Sequence, residues 1–84
     1  MEPTISASSE HFVVRFRDSA RFDEVLMPEW AQSIAAEVVP GSHVRMGELG
    51  TDAVIQSIAI PRSRVGKREE ALGKAQEIER RVSS

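Results

Sequence analysis

The spacing of apolar residues changes along this chain, and the change decides which elements it forms. Within residues 11–17, Phe12, Val14 and Phe16 recur at every second position, the period of a half-buried strand. Further along, the spacing becomes three and four, which predicts a helix over about 28–38 with a proline in its first turn. The apolar stripe of this helix comprises Trp30, Ala31, Ile34, Ala35 and Val38, opposite the polar residues Glu29, Gln32, Ser33 and Glu37.

The second half of the chain shows the same two patterns. Pro40 and Gly41 end the first helix, because proline cannot continue its hydrogen bonds and glycine accepts the left-handed conformation common after a helix. Val44 and Met46 alternate with residues that are not apolar, a loop follows at 50–52, and residues 53–60 are mainly apolar, which predicts a pair of strands joined as a hairpin. A last helix is predicted from near Gly66, with an apolar face of Ala71, Leu72, Ala75, Ile78 and Val82.

These elements follow the order β-α-β-β-α, which predicts an α+β domain. A right-handed crossover from the first strand to the second gives a three-stranded, mainly antiparallel sheet with both helices packed on one face. Over residues 11–82 this order resembles the ferredoxin-like fold without its last strand, and such folds carry many unrelated functions. We expect a disordered N-terminal tail over residues 1–10, a single domain over 11–82, a frayed C-terminus at 83–84 and a further helical turn within 20–27.

The register of the third strand is left open by its sequence. If Ile58 and Ile60 face the helices, Gln56 is buried and needs hydrogen-bonding partners. If Ile55 and Ala59 face them instead, Gln56 belongs to a mixed exposed stripe that suits a partner. We favour the first arrangement.

The first strand lies at an edge of the predicted sheet, where a further strand would pair. An edge that is apolar on one face accepts a strand from another chain, so a homodimer is one expectation. In the alternative, Arg15 and Arg17 protect this edge, the N-terminal tail covers the rest, and the protein is a monomer. The residues themselves favour neither state.

Composition excludes several classes of protein. The 84 residues include no cysteine, so there are no disulfides and no thiolate metal sites. The 13 acidic and 11 basic residues give a net charge of −2, so nucleic-acid binding would need a local patch rather than a general positive field. No apolar run approaches the roughly 20 residues that cross a bilayer, and the first ten residues do not resemble an export signal. We expect a soluble, cytoplasmic protein without membrane contact.

Two histidines and three acidic residues are the candidates for chemistry, and structural roles explain them more simply. His11 and His43 begin separate strands, and neither has a carboxylate at a spacing that would orient its imidazole or complete a metal site. Asp18, Asp23 and Glu24 suit a turn that precedes a helix, whose positive end they complement. No catalytic residue, metal site or cofactor is therefore predicted.

Two groups of basic residues are candidates for binding an anionic partner. The outward positions of the first two strands place Arg15, Arg17 and Arg45 on one open sheet face. They either bind an anion there or simply solvate the face, and the stacking aromatic residues of sheet-surface RNA binders are missing. The second group lies within 61–68, before and inside the first turn of the last helix, and comprises Arg62, Arg64, Lys67 and Arg68.

Cations at the start of a helix oppose its dipole, so a bound anion is one interpretation of the second group, although Glu69 and Glu70 can neutralise these charges. The default interpretation is a mobile, solvated loop. The sequence as a whole predicts a noncatalytic binding or assembly module that acts through protein contacts or homo-oligomerisation. The alternative is nucleic-acid or phosphate binding through the arginine-rich sheet face and the basic loop before the last helix. An enzyme is the third hypothesis.

Overall fold

The computed structural model describes residues 3–17 and 24–83, except the side chain of Leu49. Within these ranges the chain forms β1 (Thr4–Ala7), β2 (His11–Arg15), β3 (Val25–Leu26), α1 (Glu29–Val38), β4 (His43–Leu49), β5 (Asp52–Pro61) and α2 (Arg68–Ser83). These strands make one sheet of five in the order β1-β2-β5-β4-β3, and each neighbouring pair is antiparallel.

The predicted α+β class is confirmed, but the prediction of three strands is wrong because two short strands extend the sheet. β1 forms where a disordered tail was expected, and β3 has only two residues, which pair with the middle of β4. Neither segment is long enough or apolar enough to show the period of two that reveals a strand. The helical turn expected within 20–27 is wrong at 25–26, and residues 1–2, 18–23 and 84 lie outside the described ranges.

β1 covers the edge of β2 that the sequence left open. Ile5 lies opposite Val14 and packs, half-buried, against the core. The turn between the two strands is closed by Ser8, whose backbone N–H donates to the His11 carbonyl at 2.8 Å. Arg62 Nη1 donates to the Ser8 carbonyl at 2.8 Å, which fastens this hairpin to the segment after β5. The prediction of an edge position for β2 is therefore wrong, because residues Thr4–Ala7 pair with its outer edge as β1.

Both helices form where the apolar spacing predicted them. α1 begins directly after Pro28, and α2 remains helical to Ser83, where fraying was expected. The assignment of Trp30 to the inward stripe of α1 is wrong, because Trp30 is 53% exposed. The centre of the stripe is Ala31, and a residue one position away is rotated by about 100° around the helix axis.

The buried apolar residues of the sheet and of both helices form one cluster. Small alanine side chains on the helices let them approach the larger aliphatic side chains of the strands, which is typical of close packing in a domain of this size. The cluster comprises Phe12, Val14, Ala31, Ala35, Val39, Val44, Met46, Ile55, Ile58, Ile60, Val65, Ala71, Ala75, Ile78 and Val82.

A bulge in β5 decides the register that the sequence left open. Arg45 of β4 lies opposite Ser57. The next residue of β4, Met46, lies opposite Ile55, which leaves Gln56 as an extra residue in β5. The extra residue shifts the inward and outward alternation of the strand by one position.

The shift brings three isoleucines of β5 to the helix side of the sheet. Ile58 and Ile60 are fully buried there, so the arrangement favoured from the sequence is confirmed. Ile55 belongs to the other arrangement in a regular strand, but the bulge buries it as well, at 1% exposure. The bulge therefore buries Ile55 together with Ile58 and Ile60, whereas a regular strand would turn Ile55 to the opposite face.

At the other edge of the sheet, the side chain of Gln32 covers part of β4. Gln32 of α1 accepts a hydrogen bond from the Val44 N–H at 2.7 Å and donates one to the Val44 carbonyl at 2.6 Å. A neighbouring strand would make the same pair of bonds, and β3 makes the pairing next to it, at Met46 and Gly47. Gln32, assigned to the polar side of α1, is thus half-buried and covers the outer edge of β4.

Gly41 occupies a position that other residues cannot adopt without strain. Its φ is +87°, and a Cβ atom there would lie 3.1 Å from Pro61 Cγ. We expect Gly41→Ala to lower the free energy of unfolding by about 2 kcal/mol, measured by urea denaturation. Gly50→Ala is the control, since Gly50 has φ +63° but no atom within 4 Å of such a Cβ, and it should cost about 1 kcal/mol. Equal losses in the two variants would contradict a role for the Pro61 contact.

Candidate functional site

The sheet surface opposite the helices carries two of the three arginines predicted for it, Arg15 and Arg45. Residues paired across neighbouring strands share a face, so the strand register identifies its members. We refer to this surface as the open face; around Ser57 it is formed by Thr4, Ser6, His11, Val13, Arg15, His43, Arg45, Ser57 and Ala59, and the register continues it to Pro61 at one end and to Gly47, Val54 and Asp52 beyond the bulge.

Two arginines lie on either side of the central strand of the open face. Arg15 of β2 and Arg45 of β4 both lie opposite Ser57 of β5, and both are exposed. Neighbouring strands are about 4.8 Å apart, so the two arginine backbones are separated by roughly 10 Å. Neither guanidinium has a hydrogen bond or an ion pair with another residue of the described ranges. Ser57 between them is only 3% exposed.

Two imidazole rings lie further along the same face. His43 is opposite Ala59, and His11 is opposite Pro61, two residues further along β5. The rings of His11 and His43 are 6.0 Å apart between centroids and are inclined by 50°. Because Ala59 has a short side chain, the two rings approach each other across β5. The open face thus combines two arginines with two histidines.

Arg17 does not join the other two arginines, although the sequence grouped it with them. The strand ends at Arg15, and the Arg17 guanidinium donates to the Ile55 carbonyl at 2.8 Å. The Arg17 carbonyl in turn accepts from the amide of Gln56 at 2.8 Å, and Gln56 Oε1 accepts from the Ser57 hydroxyl at 2.6 Å. Arg17 therefore belongs to the hydrogen bonds around the β5 bulge, which supply the partners that a buried Gln56 requires.

In the basic segment after β5, one arginine contacts other parts of the protein and the other three cations are exposed to solvent. Arg62 is held by the Ser8 carbonyl and lies 5.3 Å from the centroid of the Phe12 ring, a distance at which a cation and a ring attract each other. Arg64, Lys67 and Arg68 are exposed, and α2 begins at Arg68. Glu69 and Glu70 lie in the first turn of α2, so acidic residues are present at its positive end.

An apolar surface that the sequence did not reveal lies at the start of α1. Leu26, Met27 and Trp30 are 39%, 54% and 53% exposed, and we refer to them as the Trp30 surface. Leu26 is paired with Met46, and Met46 lines one groove together with Trp30, so these residues lie around one end of the sheet. The helical spacing of Trp30 matched a core position, which is why the sequence alone assigned it inward.

A groove of about 420 Å³ adjoins the Trp30 surface. It is lined by the exposed Trp30, by the buried Ile55 and Val82, and by the acidic residues Asp52 and Glu79. The groove is bounded by the start of α1, the end of α2 and the β4–β5 hairpin. Its further lining residues are Arg17, Met46, Thr51, Ala53, Val54 and Ser83.

The described part of the chain contains no group of three or more His, Asp or Glu residues placed to hold a metal ion. Of the acidic residues considered for chemistry, Glu24 is exposed, and Asp18 and Asp23 lie outside the described ranges. Over residues 3–17 and 24–83, no helix is long and apolar enough to span a membrane.

Comparison of the chain with models of protein families, with curated proteins and with solved structures finds no match. The geometry of its surfaces is therefore the basis for assigning a function.

Proposed function

We propose that this protein is a noncatalytic protein-binding module whose partner docks on the Trp30 surface and the groove beside it. The observation that carries the proposal is the 53% exposure of Trp30 on a rigid helix, next to Met27 at 54%. Tryptophan and methionine are enriched in the centres of protein interfaces, and tryptophan is among the residues that dominate binding energy there. Leu26, 39% exposed and paired with Met46, adds apolar area at the same end of the sheet.

The same surface has a place for an inserted side chain. Trp30 is the strongly exposed apolar side chain that lines this groove, since Ile55 and Val82, which also line it, are buried, so an apolar anchor would pack on the face of Trp30. An anchor that fills the groove removes both its own surface and the exposed face of Trp30 from water, at about 25 cal/mol for each Å² of apolar area. An apolar side chain projecting from a partner segment fits this shape.

The acidic residues around the groove indicate the charge that the partner segment carries on either side of its apolar anchor. Asp52 and Glu79 line the groove, and Glu29 is exposed next to Trp30. Among the lining residues that the structure describes, the cation is Arg17, which already donates to the Ile55 carbonyl. We therefore infer that the partner is a protein segment with an apolar anchor flanked by lysine or arginine, since opposite charges at the rim speed association and exclude wrong partners.

The experiment is a selection of random peptides displayed against the whole protein, followed by titration of synthetic peptides. We expect enriched peptides to carry an apolar residue with basic neighbours. Because Trp30 is the single tryptophan, its fluorescence emission should shift to shorter wavelength as a selected peptide binds. Trp30→Ala should weaken binding by about 2 kcal/mol or more, roughly 30-fold, measured with a labelled peptide.

Ser33→Ala is the matched control, because Ser33 is exposed on the same helix and does not line the groove. This variant should bind the peptides as the unaltered protein does. Peptides that bind Trp30→Ala equally well, peptides with acidic flanks, or the absence of any enrichment would each contradict the proposal. A molecular mass that rises with concentration for the unaltered protein but not for Trp30→Ala would assign the surface to a second copy of the chain instead.

A further inference from the structure

We propose that the open face is a second binding site, independent of the Trp30 surface, and that its ligand is single-stranded nucleic acid. The proposal rests on the placement of Arg15 and Arg45 on either side of Ser57, with His11 and His43 further along the same face. The strand register puts all of these side chains on one side of the sheet.

The two arginines are suited to phosphate groups. Both are exposed, and neither is paired with a carboxylate in the described ranges. Their backbones are roughly 10 Å apart across β5, so two long side chains can reach successive phosphates of one strand or converge on a single phosphate. Of the open-face positions beside Ser57 in the described residues, none is acidic; the register places Asp52 on the same side only at the far end of β5. A chain of net charge −2 thus presents a local cationic surface.

The shape of the face favours an extended ligand. Along β5 its central residues are Ser57 and Ala59, whose side chains are short, so the arginines and histidines of the flanking strands form the outer surface of the face. A small anion is normally held in a concave pocket that surrounds it, and a sheet surface does not provide one. From Ser57 to Pro61 the strand extends over about 14 Å, a length that suits a short stretch of polymer.

The histidines favour nucleic acid over an acidic peptide. The carboxylates of an acidic peptide would use the arginines alone, whereas a nucleotide also has a base that needs an aromatic or guanidinium surface. His43 is exposed, and its ring lies 6.0 Å from that of His11, so an aromatic platform lies beside the cations. Stacking on such platforms is largely independent of base identity. Imidazole rings thus take the place of the larger aromatic residues that are missing from the open-face positions around Ser57.

The basic segment after β5 continues the path. A shallow groove of about 380 Å³ lies where β5 ends and is lined by His11, Pro61 and Ser63, together with Arg62. Glu10 also lines it and is the acidic residue among its described lining residues. Arg64 is exposed just beyond, so a strand that crosses β5 from Ser57 meets a further cation at the end of the sheet.

The test is fluorescence anisotropy of labelled oligonucleotides of about 12 nucleotides, within the range bound by small β folds. Single-stranded RNA, single-stranded DNA, the corresponding duplex and a polyglutamate peptide are compared. We expect both single strands to bind more tightly than the duplex or the peptide. With two phosphate contacts, the slope of log affinity against log salt should be about −1.4, a roughly sevenfold loss between about 50 and 200 mM salt.

Two double variants distinguish the contribution of Arg15 and Arg45 from the effect of removing two positive charges elsewhere on the protein. Arg15→Gln combined with Arg45→Gln should abolish most of the salt dependence and weaken binding at least sevenfold at the lower salt concentration. Lys74→Gln combined with Arg80→Gln removes the same charge from α2, on the other side of the sheet, and should leave both quantities nearly unchanged. His43→Ala should weaken binding about fivefold or more but keep the slope, because stacking involves no counterion release.

Several results would overturn the proposal. These are the absence of binding at low salt, equal binding by the Arg15 and Arg45 double variant, and equal losses in the α2 control. Tighter binding of polyglutamate than of either single strand would identify an acidic protein as the ligand class. Trp30→Ala should retain full affinity for the oligonucleotide, so a failure of this site is distinguishable from a failure of the proposed function.

Discussion

Replacement of Ile55 by alanine should lower the free energy of unfolding by about 3 kcal/mol, whereas replacement of its neighbour Val54 should cost about 1 kcal/mol or less. Ile55 is 1% exposed and packs in the core, while Val54 is half-buried on the other side of the strand. The loss at Ile55 combines the transfer of its methyl and methylene groups to water with the cavity left behind.

This pair of variants tests the bulge directly. In a regular β5, the burial of Ile58 would place Ile55 on the outer side of the sheet and Val54 on the inner side. Urea denaturation of Ile55→Ala and Val54→Ala, with Ile55→Val as the conservative control at about 1 kcal/mol, decides between the two registers. A larger loss at Val54 than at Ile55 would mean that Gln56 is not the bulged residue.

Replacement of Gln32 by alanine should destabilise the protein by about 2 kcal/mol, although the residue lies on the polar side of α1. The variant leaves the N–H and the carbonyl of Val44 without the bonds of 2.7 Å and 2.6 Å that the amide of Gln32 makes. An unsatisfied buried backbone group costs about 1–3 kcal/mol, and water recovers part of this at a half-buried position. The exposed edge of β4 should also pair with other chains, so light scattering should show self-association.

Gln76→Ala is the matched control, because it makes the same chemical change at an exposed position of α2. It should change the free energy of unfolding by less than about 0.5 kcal/mol and leave the mass unchanged. Equal stabilities of the two variants would show that water replaces Gln32 at no cost. In that case, the β4 edge would not need the side chain.

The sequence predicts the long elements well, because their apolar spacing repeats over several turns or residue pairs. Both helices and the β4–β5 hairpin are confirmed on this basis. β1 and β3 contain four and two residues, too few for any period to be measured. Their existence depends on the neighbouring strands that they pair with, β2 and β4, and no local pattern records that dependence.

The candidate surfaces were predicted less completely. Arg15 and Arg45 lie on one face, as the alternation of their strands indicated. Arg17 was grouped with them because the strand was expected to continue, but it ends at Arg15 and turns that guanidinium toward Ile55. Trp30 was assigned to the core because helical spacing indicates a direction around the axis and does not show whether another element covers it.

The position of β1 also affects how the sheet assembles. Thr4 and Arg15, at the far end of the β1–β2 pair, are close in sequence, so joining them closes only a short loop at a small entropic cost. The pairing of β2 with β5 joins residues as distant as His11 and Pro61 and closes a much longer loop that contains α1 and β4. Because pairings between distant residues are the slow steps in β-rich domains, we expect the docking of β2 on β5 to limit the folding rate and β1 to add an outer strand without lengthening the search.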